Sequence, residues 1–302
     1  MKILVAEYAI AAGLGGTFIQ EGRAMLSILA ESFQRCSHEV IYPTFGPTIE
    51  AGTPIFLKGI GPGDFREFLA RTEVDAGLVI APDDLLPEFL EALETNTANL
   101  GCRPAAARLC ADKLESTLKL KESGVPVADV VDKPAICGCS RYVIKPRYGC
   151  GSDGVRITSN PKAPEGYVAT RYIEGMHLST SFIVGDKFLP LTINRQLIEF
   201  AGDCISYNGS QVPYNTPRAA EIWDVARRAS EVLGLRGYAG IDMVVGDLPR
   251  VVDVNARPTT SMIGISKVMK EEIGDLIWRS RFGALPAEAR VEGHIAFTKE
   301  DF

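Results

Sequence analysis

The sequence predicts an α/β unit followed by a second unit of α+β character with mainly antiparallel strands. Three observations lead there. Over roughly residues 1–100, short apolar runs alternate with helical stripes, the pattern of a parallel sheet flanked by helices. Beyond Gly124-Val125-Pro126 the texture changes to short β-rich segments separated by turns. Two strand-like runs around residues 246–249 form a hairpin with its polar residues on one face and apolar residues on the other. The length of 302 residues suits about two domains.

Composition narrows the function. Lys and Arg total 32 against 38 Asp and Glu, a formal net charge of −6 that argues against a strongly basic nucleic-acid binder. Apolar residues make up 46% of the chain, enough for a substantial core. No apolar run reaches the ~18 residues of a membrane helix. The opening run ends at Glu7, too early for a signal peptide, so a cytoplasmic protein is expected. Seven cysteines without a CxxC pair read as free thiols, with Cys137, Cys139 and Cys150 as an alternative soft-metal set.

The elements follow in order. Residues 2–6 read as a buried strand, 9–16 as a loop rich in Ala and Gly. From Glu21, the stripe Ala24, Met25, Ile28, Leu29 and Phe33 marks a helix. Strands are expected at 40–42 and 75–81, and Asp83 or Asp84 as the cap of a helix to Glu94. Residues 104–124 read as helical with an interruption near Asp112. Strands follow at 142–145, 155–158, 168–173, 181–184 and 188–194, then a helix over 217–233, two strands, and a helical stretch over 267–282.

Gly149, Gly151 and Gly154 match the dinucleotide fingerprint G-x-G-x-x-G, and Glu174 lies where a ribose-binding acid would be sought. The context does not fit, because a strand and not a helix follows the loop. Strand, glycine loop, strand is instead the layout of a phosphate-covering flap, used also by protein kinases. Their catalytic-loop and Asp-Phe-Gly motifs are missing here. Lys145, on the strand entering the flap, could reach a phosphate as a point charge; an ordinary hairpin with a solvated lysine is the plainer alternative.

In the hairpin, a two-residue loop at Asp247-Leu248 would set Gly246 against Pro249, Val244 against Val251 and Asp242 against Asp253. Asp242, Asp253 and Asn255 then share one face, and Ile241, Met243, Val245, Val252 and Val254 the other. Opposed carboxylates repel, so they need a cation or a shared proton. An oxygen-only set suits Mg²⁺ or Mn²⁺. Two surface aspartates paired with arginine are the alternative, and Arg257 could simply bridge Asp253.

Together these residues resemble the ATP-grasp superfamily over roughly residues 112–266. Ala111-Asp112-Lys113 is similar to the segment carrying the first nucleotide lysine, Lys113, and the 142–146 strand to that carrying the second, Lys145. Gly149, Gly151, Ser152 and Gly154 fall on the phosphate flap. The 170–175 segment is similar to the adenine hinge, which implies base contacts from Thr170, Arg171 and Ile173. His177 stands where the family often has a ribose-binding glutamate, and Asp253 where it often has a metal-binding glutamate. Asp242, Asp253 and Asn255 occupy the metal positions.

The resemblance implies an ATP-grasp fold: an N-terminal Rossmann-like α/β domain (1–100), a small subdomain with the glycine flap (101–170), and a large subdomain with the metal hairpin (171–302), the two α+β subdomains clasping ATP. Within the superfamily the chain most resembles the tyramine–L-glutamate ligases of methanofuran biosynthesis. That likeness rests on Glu21-Gly22-Arg23-Ala24-Met25-Leu26, Asn194-Arg195-Gln196 and the run Val254 to Ser261. It implies an ADP-forming carboxylate–amine ligase using ATP and Mg²⁺ or Mn²⁺, working through an acyl phosphate. Arg257 and Arg195 would stabilise the transferring group or the tetrahedral intermediate. The implied partners are small-molecule acid and amine substrates and a second copy in a homodimer, with no nucleic acid or membrane. Glu7 and Glu21 are candidate acids, read more plainly as a solvated carboxylate and a helix-N-terminal charge. The alternatives are an amino-acid or peptide ligase with another substrate pair, a non-catalytic nucleotide sensor, and a nicotinamide oxidoreductase, which the strand after Gly154 disfavours.

Overall fold

A computed structural model describes residues 1–131, 141–149 and 151–301. The first part contains β1 (Lys2–Glu7), α1 (Tyr8–Ala11), α2 (Thr17–Arg35), β2 (Glu39–Thr44), β3 (Thr53–Phe56), α3 (Pro62–Arg71), β4 (Ala76–Ile80), α4 (Leu86–Leu93) and β5 (Ala98–Asn99). Its strands form a parallel sheet in the order β3-β2-β1-β4-β5. β4 is buried along its whole length and β1 from Ile3 onward, which is why both read as unbroken apolar runs.

Two expectations are corrected here. The chain after β1 turns at once into α1, because the Glu7 carboxylate accepts from the N–H groups of Ala9 and Ile10 and caps that turn. Neither Asp83 nor Asp84 caps α4, whose N-cap is Leu85 without a side-chain bond. β3 and α3 carry weak sequence signals: β3 is a short edge strand and α3 buries only Phe65 and Leu69.

The second part contains α5 (Pro104–Ala111), α6 (Lys113–Glu122), β6 (Tyr142–Pro146), β7 (Arg156–Thr158), β8 (Tyr167–Arg171), β9 (Met176–Val184), β10 (Phe188–Ala201), β11 (Cys204–Val212), α7 (Ala219–Leu233), β12 (Gly237–Val245), β13 (Pro249–Asn255), α8 (Met262–Val268), α9 (Ile273–Phe282) and β14 (Ile295–Thr298). The strands form an antiparallel sheet in the order β13-β12-β9-β10-β11-β7-β6-β8, with β14 on β11. The interruption between α5 and α6 is Asp112, extended at φ −89° and ψ 98° and capping α6. The single helical stretch expected at 267–282 is two helices. Met269 turns extended after α8, and Glu272, N-cap of α9, is anchored by Ser32 and Arg35 of α2. β11 escaped the periodicity because a register shift at Leu197/Ile198 breaks the alternation of the β10–β11 pair.

Each face of the parallel sheet carries an apolar cluster that continues into the antiparallel part. One joins Leu4, Ala6 and Phe89 to Phe182, Val225 and Ile241. The other joins Ile3, Val5 and Phe33 to Ile183, Tyr238 and Ile277. Among the described residues no helix is long and apolar enough to cross a membrane.

Candidate active site

A cavity of about 360 Å³ lies between the β6–β7 flap, the β12–β13 hairpin and the segment after β13. The hairpin brings its acids there by a route that differs from the simple turn. The connection spans 246–248, so Val245 faces Pro249, Val244 faces Arg250 and Met243 faces Val251. The register then shifts between Asp242 and Met243, and this bulge restores Asp242 opposite Asp253 and Gly240 opposite Asn255. Val251, not Val252, therefore joins the core, while Val252 lines the cavity.

Lys113 begins α6 and is buried; its Nζ donates to both Asp253 oxygens, at 2.8 and 2.9 Å. Lys145, on β6, is also buried, and its Nζ donates to the Val252 carbonyl. Burial pushes the Lys145 ammonium down to about 8, opposed by the charges of Asp253 and Asp242. Asp242 is pushed up by burial and by Asp253 beside it, and a hydrogen bond from Gln196 eases the shift. Burial also works to raise Asp253, but Lys113 and Lys145 outweigh it and hold that carboxyl below its usual range. Two opposed carboxylates and an amide, one acid already straining toward protonation, fit a hard divalent cation at Asp242, Asp253 and Asn255.

Asp112 ties the lysine helix to the flap. It accepts from Leu114 and Glu115 N–H, from Arg147 Nε at 2.8 Å and Nη2 at 2.7 Å, and from Tyr148 OH at 2.8 Å. The flap turns through left-handed residues, with φ +109° at Gly149, +78° at Gly151, +64° at Ser152 and +69° at Gly154. Gly149, Gly151 and Ser152 line the cavity. Gly154 does not; it closes the flap base, where a Cβ would sit 3.2 Å from the Pro146 ring.

Thr170, Arg171, Ile173 and His177 line the same cavity, from the end of β8 to the start of β9. Burial lowers the His177 imidazole, which favours its neutral form. Arg257 also lines it, and its Nε donates to Asp83 at 2.8 Å in a buried pair, not to Asp253. Arg195 is exposed and is not brought to the cavity; on alternating β10 the next residue, Gln196, lines it.

Glu7 is buried, not solvated. Burial pushes it up to about 7, opposed by the Ile10 and Ala9 N–H groups and by Arg257. Glu21 lies beyond the first turn of α2, which begins at Thr17, and accepts from Thr260 Oγ1 at 2.9 Å. Gln196, Tyr207, Ser210 and Asp83 were missed from sequence. The alternation of Thr192, Asn194 and Gln196 offered a signal for the first; the others have none that is local. Cys137, Cys139 and Cys150 lie outside the described residues, and Cys36, Cys102, Cys110 and Cys204 are free thiols.

The ATP-grasp domain family matches residues 110–261. A relative named tyramine–L-glutamate ligase, from Methanocaldococcus fervens, is 30% identical, covering 87% of this chain and 89% of its own. One of the same name from Methanocaldococcus jannaschii is 28% identical, covering 87% and 84%. The chain belongs to the ATP-grasp superfamily. Among solved structures, a putative ATP-grasp superfamily protein from Archaeoglobus fulgidus superposes with a TM-score of 0.78 at 25% identity, covering 99% of this chain and 98% of that one. As an ATP-grasp enzyme, this protein is an ATP-dependent ligase.

Proposed function

We propose that this ligase joins tyramine to a carboxyl group of L-glutamate, with Mg²⁺ or Mn²⁺ as its metal. The observation that carries the reading is the pair of relatives bearing that name over nearly the whole chain. A carboxylate oxygen attacks the γ-phosphorus of ATP, the bond to the β-phosphate oxygen breaks, and ADP leaves. The amine nitrogen then attacks the acyl carbon, phosphate departs, and the nitrogen sheds a proton as the amide forms.

The residues fit that demand. Lys113 and Lys145 supply buried positive charge near Asp253, where a triphosphate would lie. The backbone N–H groups of Gly149 and of residues 151–154 would cover the phosphates, and the flap would keep water from the acyl phosphate. Thr170, Arg171 and Ile173 bound the base, and His177 the ribose. Asp242, Asp253 and Asn255 would hold the metal, which when bound offsets phosphate charge. Gln196 orients Asp242. Arg257, held by Asp83, faces the transferring group.

The test is coupled ADP release with ATP and Mg²⁺, using glutamate alone, tyramine alone and both, followed by mass spectrometry. Release that needs both substrates and a glutamyl-tyramine mass is expected. Release with a different acid–amine pair, and none with this one, would reject the substrate assignment.

A further inference from the structure

A second cavity lies away from the ATP site, where β5 and the start of α5 meet the start of β12 and the end of α9. Its volume is about 690 Å³. In a chain of net charge −6, its charged lining is four arginines and two glutamates.

Only one of the two acids has its charge paired among the described residues. Glu91 pairs with Arg108 at 2.9 Å, and Glu94 accepts from Asn99 Nδ2 at 2.9 Å. Among the described residues, Arg103, Arg236 and Arg281 have no ion-pair partner. Arg236 is half-buried and aimed by the main chain, its Nε on the Gly101 carbonyl at 3.3 Å and its Nη2 on the Asn99 carbonyl at 3.2 Å. Burial lowers its guanidinium, and the charges of Arg281 and Arg103 lower it further, partly opposed by Glu94. Three like charges against the single unpaired carboxylate of Glu94 leave an excess of positive charge, which a further anion would neutralise. Guanidinium forks match the oxygens of phosphate and carboxylate groups.

We propose that this cavity is a second ligand site, for a small oxyanion of at least two negative charges, a phosphoryl compound or a polycarboxylate, bound by Arg103, Arg236 and Arg281. It is separate from the nucleotide site: α5 runs from Arg103 to the segment that carries Lys113, about 12 Å along the helix. The proposal does not depend on which acid and amine the ligase joins.

The full chain is titrated calorimetrically with pyrophosphate and, separately, with citrate, the nucleotide site filled by saturating ADP and the ionic strength fixed with NaCl. Saturable binding of one of them is expected, weakened at least about tenfold in an Arg103→Gln/Arg281→Gln variant. Both positions are exposed, and Arg281→Gln alone serves if the double variant misfolds. Binding of pyrophosphate but not citrate assigns a phosphoryl ligand; the reverse assigns a polycarboxylate. No saturable binding of either, or binding that both variants retain in full, overturns the proposal.

Discussion

Arg257 and Asp83 meet across 174 residues of sequence, one after β13 and the other after β4. Both are largely buried, so removing one charge is expensive. Asp83→Asn is expected to lower stability by roughly 3 kcal/mol, read as a shifted urea midpoint at unchanged slope. If Arg257 serves the transferring group, kcat falls with little change in the KM for ATP; an equal kcat would separate the pair from catalysis. Glu7 carries a pH signature. Its folded carboxyl titrates near 7 against an ordinary 4.5, so across that window the folded state keeps a proton that the unfolded chain has released. Stability therefore falls as pH rises from 4.5 to 7, and the loss persists above. Going from pH 4.5 to about pH 8, Glu7→Gln is expected to gain roughly 3 kcal/mol relative to the native protein. Parallel stability–pH curves for the two would count against this.

At the scale of the element, Asp112 both caps α6 and receives Arg147 and Tyr148 from the flap strand. The two roles can be separated. Asp112→Ala loses both, and about 2 kcal/mol of stability is expected to go with them. Asp112→Asn keeps a capping oxygen but loses the charge facing Arg147, so it should retain most of the stability while weakening ATP binding, as measured by calorimetry. The hairpin shows how much of an element is local. Alternation along each strand placed Asp242, Asp253 and Asn255 on one face, and the structure agrees. The pairing near the turn was one residue out, and the compensating bulge at Val252 left no mark in the hydrophobic pattern, because Val251 and Val252 are adjacent and equally apolar. The long 267–282 stretch failed because Met269 turns extended after α8 and Glu272, at the start of α9, is held by Ser32 and Arg35 of α2, partners too distant in sequence to show in the apolar pattern.

The molecule as a whole is joined by cores that run from one sheet into the other on both faces of the parallel sheet. Trp223, on α7, packs near Phe188, and Trp278, on α9, packs near His38 and Phe282. They report from different clusters. Single-tryptophan variants are expected to unfold at one common midpoint, coincident with far-ultraviolet circular dichroism, and ADP should raise all midpoints together. Midpoints that split, with ADP moving only one, would mean the two sheets fold independently.

Residues close in sequence determined most of what could be read in advance. Alternation, apolar runs and glycine spacing pointed to the parallel unit, the flap between two strands, the break near Asp112 and the shared face of Asp242, Asp253 and Asn255, whereas the cap expected at Asp83 or Asp84 did not form. Those signals repeat within a few residues, so the chain itself displays them. The tertiary structure decided which charges meet: Lys113 on Asp253, Arg257 on Asp83, Gln196 on Asp242, and the burial of Glu7. It also put Arg195 outside the cavity and gathered Arg103, Arg236 and Arg281 from distant segments. Such pairings join positions up to 174 residues apart, and their energies depend on burial that exists only once both sheets have packed.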